Sequence, residues 1–214
     1  MNLPRVVALM PTQNRPEMAH RSAHFFLEQI YPGPKTLLVF DDGDFRAKFC
    51  PSCEQDMVYV RCERTNLPTK RNRMMEHVGD HDAFYFMWDD DDYHGPNRVG
   101  RQVDMLVHCP AVIMRPTLYY NSITRDVRMS KWISDATCAF TWDFWDKRRF
   151  CESIDPGSGH LFVNSVDVET IAGELDYMTV VHNGQRHTPP AFGPPDFYDA
   201  PVTAEWAEER LRLR

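Results

Sequence analysis

Apolar positions along the chain fall into two rhythms. Continuous runs at 5–10 (RVVALM) and 35–40 (KTLLVF) stop at polar, loop-forming residues, PTQNRP after the first and Asp41-Asp42-Gly43-Asp44 after the second, as buried strands do. Between them Met18, Ser22, Ala23, Phe26, Leu27 and Ile30 recur every three or four positions, with Pro16 near the start and Pro32-Gly33-Pro34 beyond the end. That spacing predicts an amphipathic helix. Strand, helix, strand requires a parallel pair joined by a right-handed crossover, hence an α/β fold. The alternation continues with a strand at 57–60 and a helix entered through Asn66-Leu67-Pro68-Thr69 and running to about residue 78. The most apolar strand follows at 83–88 (AFYFMW) and runs straight into Asp89-Asp90-Asp91-Asp92, after which a turn at His94-Gly95-Pro96 leads to a helix over 97–107.

The second half is less regular. Strands are predicted at 111–115, 117–121, 137–142 and 178–181, a short helix at 142–149 and another at 164–173. The Pro-rich TPPAFGPPDFYDAP holds no regular structure in this reading, and AEWAEERLRLR forms a terminal helix. No repeat or linker divides the chain, so one domain over 1–214 is expected.

Composition narrows the class. With 214 residues, 43% apolar and 26% charged, the chain is long enough for folding to remove roughly 70% of its surface from water. No apolar run nears the roughly 20 residues that span a bilayer, and the first residues lack a secretory cleavage pattern, so a soluble cytoplasmic protein is expected. The net charge of −7 offers no global attraction to nucleic acid, although Lys147-Arg148-Arg149 is locally basic. Six scattered cysteines read as reduced thiols. Cys50-Pro-Ser-Cys53 and Cys62 offer three possible zinc thiolates, but no second CxxC completes a four-ligand set, and a plain loop is the expectation.

The aspartate run carries the chemistry. Adjacent carboxylates raise one another's pKa and strain the fold unless a cation neutralises them. Hard oxygen ligands suit Mg²⁺ or Mn²⁺, which keep some water and accept phosphate oxygens. A solvated acidic turn is the alternative, but in open α/β sheets the carboxyl end of a buried strand is where ligands bind.

The segments PTQNRPE, LLVFDDGD, LPTKRNRMMEHV and FYFMWDDDDYHGPNRVGRQVDML, in that order over residues 5–107, resemble family-2 glycosyltransferases of the GT-A fold. The resemblance implies a Rossmann-like α/β fold, with a mostly parallel sheet between helices. It also implies transfer of a sugar from a nucleotide-sugar donor, with 5–107 as the nucleotide- and metal-binding half, 108–190 as the acceptor half and 191–214 as a tail. Donor contacts are implied for Pro11, Thr12, Asn14, Arg15, Asp41, Asp42, Arg71, Asp89 and Asp90. A DxD metal element is implied at Asp89 and Asp91, with His182 completing the site around Mn²⁺ or Mg²⁺ and His187 as a second candidate. The chemistry agrees: a carboxylate at Asp41 or Asp42 can accept from a nucleobase N–H, and Arg71 can grip a phosphate with two nitrogens.

An inverting transferase also needs a carboxylate base, and the acidic Glu-Asp pair usual in the family is absent. Asp167, in Val166-Asp167-Val168-Glu169 at the start of the last predicted helix, is the first choice, with Glu169 and Asp155 next. Trp132, Trp142, Trp145, Tyr119 and Tyr120 suit either sugar stacking or core packing. A nucleotidyltransferase is disfavoured because PTQNRPE lacks the glycines that cradle a triphosphate. A non-catalytic nucleotide-sugar-binding module fits the missing pair but not the intact acidic run. The acceptor stays open among glycan, small molecule, protein and modified nucleic-acid base.

Overall fold

The computed structural model describes residues 3–131, 133–154, 158–164, 168–173, 175–182 and 197–212. In chain order the elements are β1 (Val6–Thr12), α1 (Pro16–Leu27), β2 (Lys35–Asp41), α2 (Pro51–Glu54), β3 (Met57–Arg61), α3 (Leu67–Val78), β4 (Phe84–Met87), β5 (Tyr93–His94), α4 (Arg98–Leu106) and β6 (Ala111–Met114). There follow β7 (Thr117–Asn121), β8 (Asp126–Ser130), β9 (Ala139–Thr141), α5 (Trp142–Arg148), α6 (Ser158–Val163), β10 (Val168–Ile171), β11 (Tyr177–Val181), β12 (Phe197–Asp199) and α7 (Ala204–Leu211).

The main sheet has the order β10-β6-β9-β4-β1-β2-β3, parallel except for β9. Successive residues of β1 point to opposite faces, as the pleat demands. Val6, Ala8 and Met10 join one core with Ala19, Ala23 and Phe26 of α1, while Val7 and Leu9 join the other with Met74 and Met75 of α3. Both faces are therefore covered, and the strands read as unbroken apolar runs. A second sheet has the order β12-β8-β7-β11-β5. Residues 89–92 run from β4 of the first sheet to β5 of the second, so the acidic run sits where the two sheets meet.

Local chemistry fixes the helix ends. The Asn66 side chain accepts from the Thr69 amide, Pro68 lies in the first turn, and Gly79 closes α3 in the left-handed region at φ 58°. α1 stops at Leu27, so Ile30 lies beyond it, 66% exposed, rather than on its buried face. Gln29 is buried in its place because its amide bridges the Gly95 carbonyl and the Val99 amide.

Several predicted elements need correction. The helix expected at 164–173 is replaced, among the described residues, by α6 over Ser158–Val163 and the strand β10, whose Val168 and Ile171 pair with β6. The Pro-rich segment contributes the short strand β12, and β8 and α2 were not anticipated. β5 forms where a turn was expected. β8 buries only its last two residues, and β5 and β12 are two and three residues long, too few to leave an apolar run. Among the described residues no helix is long and apolar enough to cross a membrane.

Candidate active site

Register brings the loops together. Thr12 at the end of β1 pairs with Asp41 at the end of β2, and Leu9 pairs with Met87 of β4, so the following loops share one rim of the sheet. The first two loops touch: a Cβ on Gly43 would come 2.6 Å from the Asn14 amide, a space only glycine tolerates. Because β9 runs antiparallel to β4, its start lies at the same rim and delivers Asp135 from the single 3₁₀ turn before it.

The four aspartates occupy four different environments. Asp90 is fully buried, accepting from Thr12 Oγ1 at 2.5 Å, with Arg15 Nη2 2.7 Å from Oδ1. That second contact lacks hydrogen-bond geometry, so Asp90 Oδ1 is a buried acceptor with no hydrogen-bond donor. Asp91 is bound by Arg15 Nη1 and by His182 Nε2 at 3.2 Å. Asp92 takes the Tyr177 hydroxyl and the Val180 amide, the latter at 2.9 Å. Asp89 is the most open, its side chain 26% exposed, and meets Arg71 Nη2 at 3.2 Å. Arg71 grips Asp135 with its other terminal nitrogen.

Burial pushes Asp89 and Asp92 up and takes Asp90 to about 7, neighbouring carboxylates adding to each. Asp91 moves the other way: burial raises it, but the His182 hydrogen bond and the charge of Arg15 outweigh that and hold it down. Oxygens of Asp89, Asp91 and Asp92 lie within 4.8 Å of one another, and His182 Nε2 meets the group at Asp91. This all-oxygen set with surplus negative charge, an undonated buried oxygen and an adjacent imidazole fits Mg²⁺ or Mn²⁺.

A second layer holds the run from behind. The Asp89 carbonyl accepts from His94 Nε2 at 2.9 Å and from Ser22 Oγ at 3.2 Å. Arg98 donates to His94 Nδ1, which leaves the hydrogen on Nε2, and burial holds the ring well below its usual pKa and hence neutral. Arg98 itself is fully buried between Trp88 and Tyr177 and donates to the Met87 and Ala136 carbonyls at 2.7 and 2.9 Å.

Most of the expected donor residues reach this rim, but several are spent on the protein itself. Pro11 and Thr12 are buried in β1. Asp41 accepts from the Gly43 and Ala47 amides and from Tyr59 and Arg61; burial alone would raise its pKa, but these bonds pull it below the usual value. Asp42 is closed by Lys70 at 2.6 Å, Gln13 at 3.0 Å and the Thr65 amide at 3.2 Å. Their oxygens organise the loops rather than standing free for a nucleobase. Asn14, in the left-handed region at φ 56°, binds Asp44 and so joins the two loops.

Glu169 is not at the rim. It lies on edge strand β10, level with Phe86 through Val112 and Ala139. That places it about 14 Å across and about 10 Å along the sheet from Asp89 at standard strand spacings. Asp155, Asp167, His187 and Trp132 lie outside the described residues. Trp145 is core, its indole donating to Asn72, and Tyr119 and Tyr120 are buried. Arg148 and Arg149 lie over Phe144 and Trp145 rather than forming a free basic patch. Cys62 packs in the α3-side core and Cys50 and Cys53 in the α1-side core, so the three thiols are not brought together.

Asp135, Lys70 and the Arg98–His94 pair were not indicated by the sequence. The only signals available were an acid just before an apolar strand and basic residues recurring on a helix beside the acidic loops.

Residues 7–165 match the sequence profile described as "Glycosyl transferase family 2". The chain belongs to this family. No curated protein sequence matches it. Among solved structures, S. aureus TarS 1-349 in complex with UDP is similar at TM-score 0.63 and 12% identity over 83% of this chain and 60% of that one. TarS 1-349 with UDP-GlcNAc gives 0.62 and 12% over 85% and 60%. The mannosyltransferase PcManGT from Pyrobaculum calidifontis, in complex with GDP-Man and Mn²⁺, gives 0.61 and 15% over 83% and 56%. The fold of this family-2 member is therefore GT-A, and the chain spans no more than 60% of the length of these structures.

Proposed function

We propose that this family-2 chain transfers a sugar from a nucleoside-diphosphate sugar to an acceptor hydroxyl, with Mn²⁺ or Mg²⁺ held by Asp91 and Asp89 beside His182. The observation that carries this reading is the grouping at the sheet rim: oxygens of Asp89, Asp91 and Asp92 lie within 4.8 Å of one another, with Arg15 and His182 on Asp91 and Arg71 on Asp89. UDP, UDP-GlcNAc, and GDP-Man with Mn²⁺ in the structural neighbours support it.

When bound, the divalent ion supplies Lewis-acid neutralisation of the leaving diphosphate, a contribution of several kcal/mol. Arg71, its two terminal nitrogens held by Asp135 and Asp89, adds positive charge beside the same anion. Thr12 and Asp90 fix the first loop against the acidic run, and the Asn14–Asp44 hydrogen bonds tie the first loop to the second. Asp135 is already committed to Arg71, which suits it to orient that guanidinium rather than to take a proton. Asp167 is therefore the first candidate for the base and Asp155 the second. The acceptor is an unidentified hydroxyl compound.

The decisive experiment is a thermal-shift and calorimetric screen of UDP, GDP, CDP and their sugars, with and without Mn²⁺. A ligand at 100 times its Kd adds about 2.7 kcal/mol of stability. A metal-dependent shift with one nucleotide supports the transferase and names its donor base. No shift with any of them overturns the reading.

A further inference from the structure

A second group of metal-ligating side chains lies on the other side of α1 from the carboxylates' work and takes no part in it. His20 and His24 are one helical turn apart on α1, which stacks their rings on one face. Cys50 and Cys53 flank the first turn of α2, with Pro51 at its first position, so this short turn presents both thiols to those rings. Cys50 Sγ lies 3.6 Å from His24 Nε2 and 2.8 Å from Cys53 Sγ, and the two Nε2 atoms are 3.2 Å apart. Ligand atoms of all four residues fall within 4.8 Å of one another.

We propose that His20, His24, Cys50 and Cys53 form a structural zinc site. A tetrahedral ion with Zn–S of about 2.3 Å and Zn–N of about 2.0–2.1 Å separates its ligands by roughly 3.4–3.8 Å, close to the nitrogen–nitrogen and nitrogen–sulfur spacings here. The two thiols need only part by about an ångström to join them. The donor set is decisive for the metal: two imidazoles and two thiolates select zinc, whereas the oxygen-only set at Asp89–Asp92 selects Mg²⁺ or Mn²⁺. Both cysteines are free thiols, and four protein ligands leave no open position, as in closed structural sites. On binding, each thiol gives up its proton to solvent and each imidazole binds neutral through Nε2, keeping its Nδ1 hydrogen.

The ion would staple the segment between β2 and α2 to α1. Phe49 packs edge-on against His20 and against Tyr59, and the Tyr59 hydroxyl donates to Asp41 at 2.5 Å. A zinc clasp would thus brace the loop that Asp41 organises, through Phe49 and Tyr59. The proposal stands independently of the transfer reaction.

The test uses the whole protein, purified reduced and without a metal-affinity tag. Zinc content is measured by mass spectrometry of the metal, and cobalt is then added to protein stripped by a chelator. The expected result is stoichiometric zinc and, with cobalt, the strong visible bands and thiolate charge-transfer absorption of a tetrahedral sulfur-bound site. Cys50→Ser and His20→Asn should each weaken binding at least tenfold, while Cys62→Ser and Asp91→Ala retain it. Failure of the reduced wild-type protein to take up either metal overturns the proposal, whether or not the variants fold. So does uptake unchanged in both Cys50→Ser and His20→Asn, or lost in Asp91→Ala.

Discussion

Thr12 Oγ1 donates to Asp90 Oδ2 at 2.5 Å, joining the end of β1 to the acidic run across 78 positions of sequence. The bond is buried, and Asp90 has no donor of good geometry on its other oxygen. Thr12→Val keeps the side-chain shape and removes the donor. It should cost about 1–3 kcal/mol, the penalty for leaving a buried acceptor unpaired. Urea denaturation measures this, and a midpoint equal to wild type would show that the bond contributes nothing.

Asp91→Ala should abolish metal-dependent nucleotide binding, because Asp91 is the carboxylate of the run whose environment keeps it charged. Calorimetry with the nucleotide that binds wild type, in the presence of Mn²⁺, reads the effect. Unchanged affinity would remove Asp91 from the metal site.

The carboxylates also set the pH response. Asp89, Asp90 and Asp92 have folded-state pKa values above the unfolded value of about 3.9, so their contribution to stability is present below about pH 4 and is lost as pH rises, for Asp90 through about 7. Asp91, shifted down, opposes this with a contribution lost only at acid pH. Mn²⁺ binds the ionised run and should offset the penalty. The stabilisation produced by Mn²⁺ is therefore expected to be larger at pH 8 than at pH 5, as read by thermal melting; equal stabilisation at both would contradict it.

How much of this was legible depended on where each residue sits. β1, β2 and β4 are buried on both faces, so their apolar runs, and the acidic residues that end them, stood out. Asp135 reaches the rim only because β9 runs backwards between β4 and β6, a pairing that no local pattern encodes. Glu169 was read on a helix although Val166-Asp167-Val168-Glu169 alternates apolar and polar residues; four residues of alternation are too few to decide, and the pairing with β6 makes the strand. Cys50-Pro-Ser-Cys53 was visible as a possible thiolate pair, but its partners were not, since His20 and His24 read as ordinary helix residues and 26 positions separate His24 from Cys50.

Arg98 tests the layer behind the site. Replacing it with Met keeps bulk between Trp88 and Tyr177 but strips donors from His94, Gln102, Met87 and Ala136. A loss of about 3 kcal/mol or more is expected. Arg98→Lys should recover little of it, since an ammonium cannot reproduce the planar fork. Equal stability of wild type and Arg98→Met in urea would show the network to be dispensable.

The proton-acceptor assignment separates the transferase from a module that only binds donor. Asp167→Asn should leave metal-dependent nucleotide affinity intact and lower transfer by about 10²–10⁴-fold, the usual worth of a general base. Hydrolysis of the donor in the absence of acceptor provides the readout before any acceptor is known: wild type should release nucleoside diphosphate with Mn²⁺ present, and Asp91→Ala should not. Near-normal turnover in Asp167→Asn would pass the role to Asp155, which the same assay examines. A wild-type protein that binds donor tightly yet never cleaves it would instead mark the chain as a binding module, in which the acidic run holds a nucleotide sugar without transferring it.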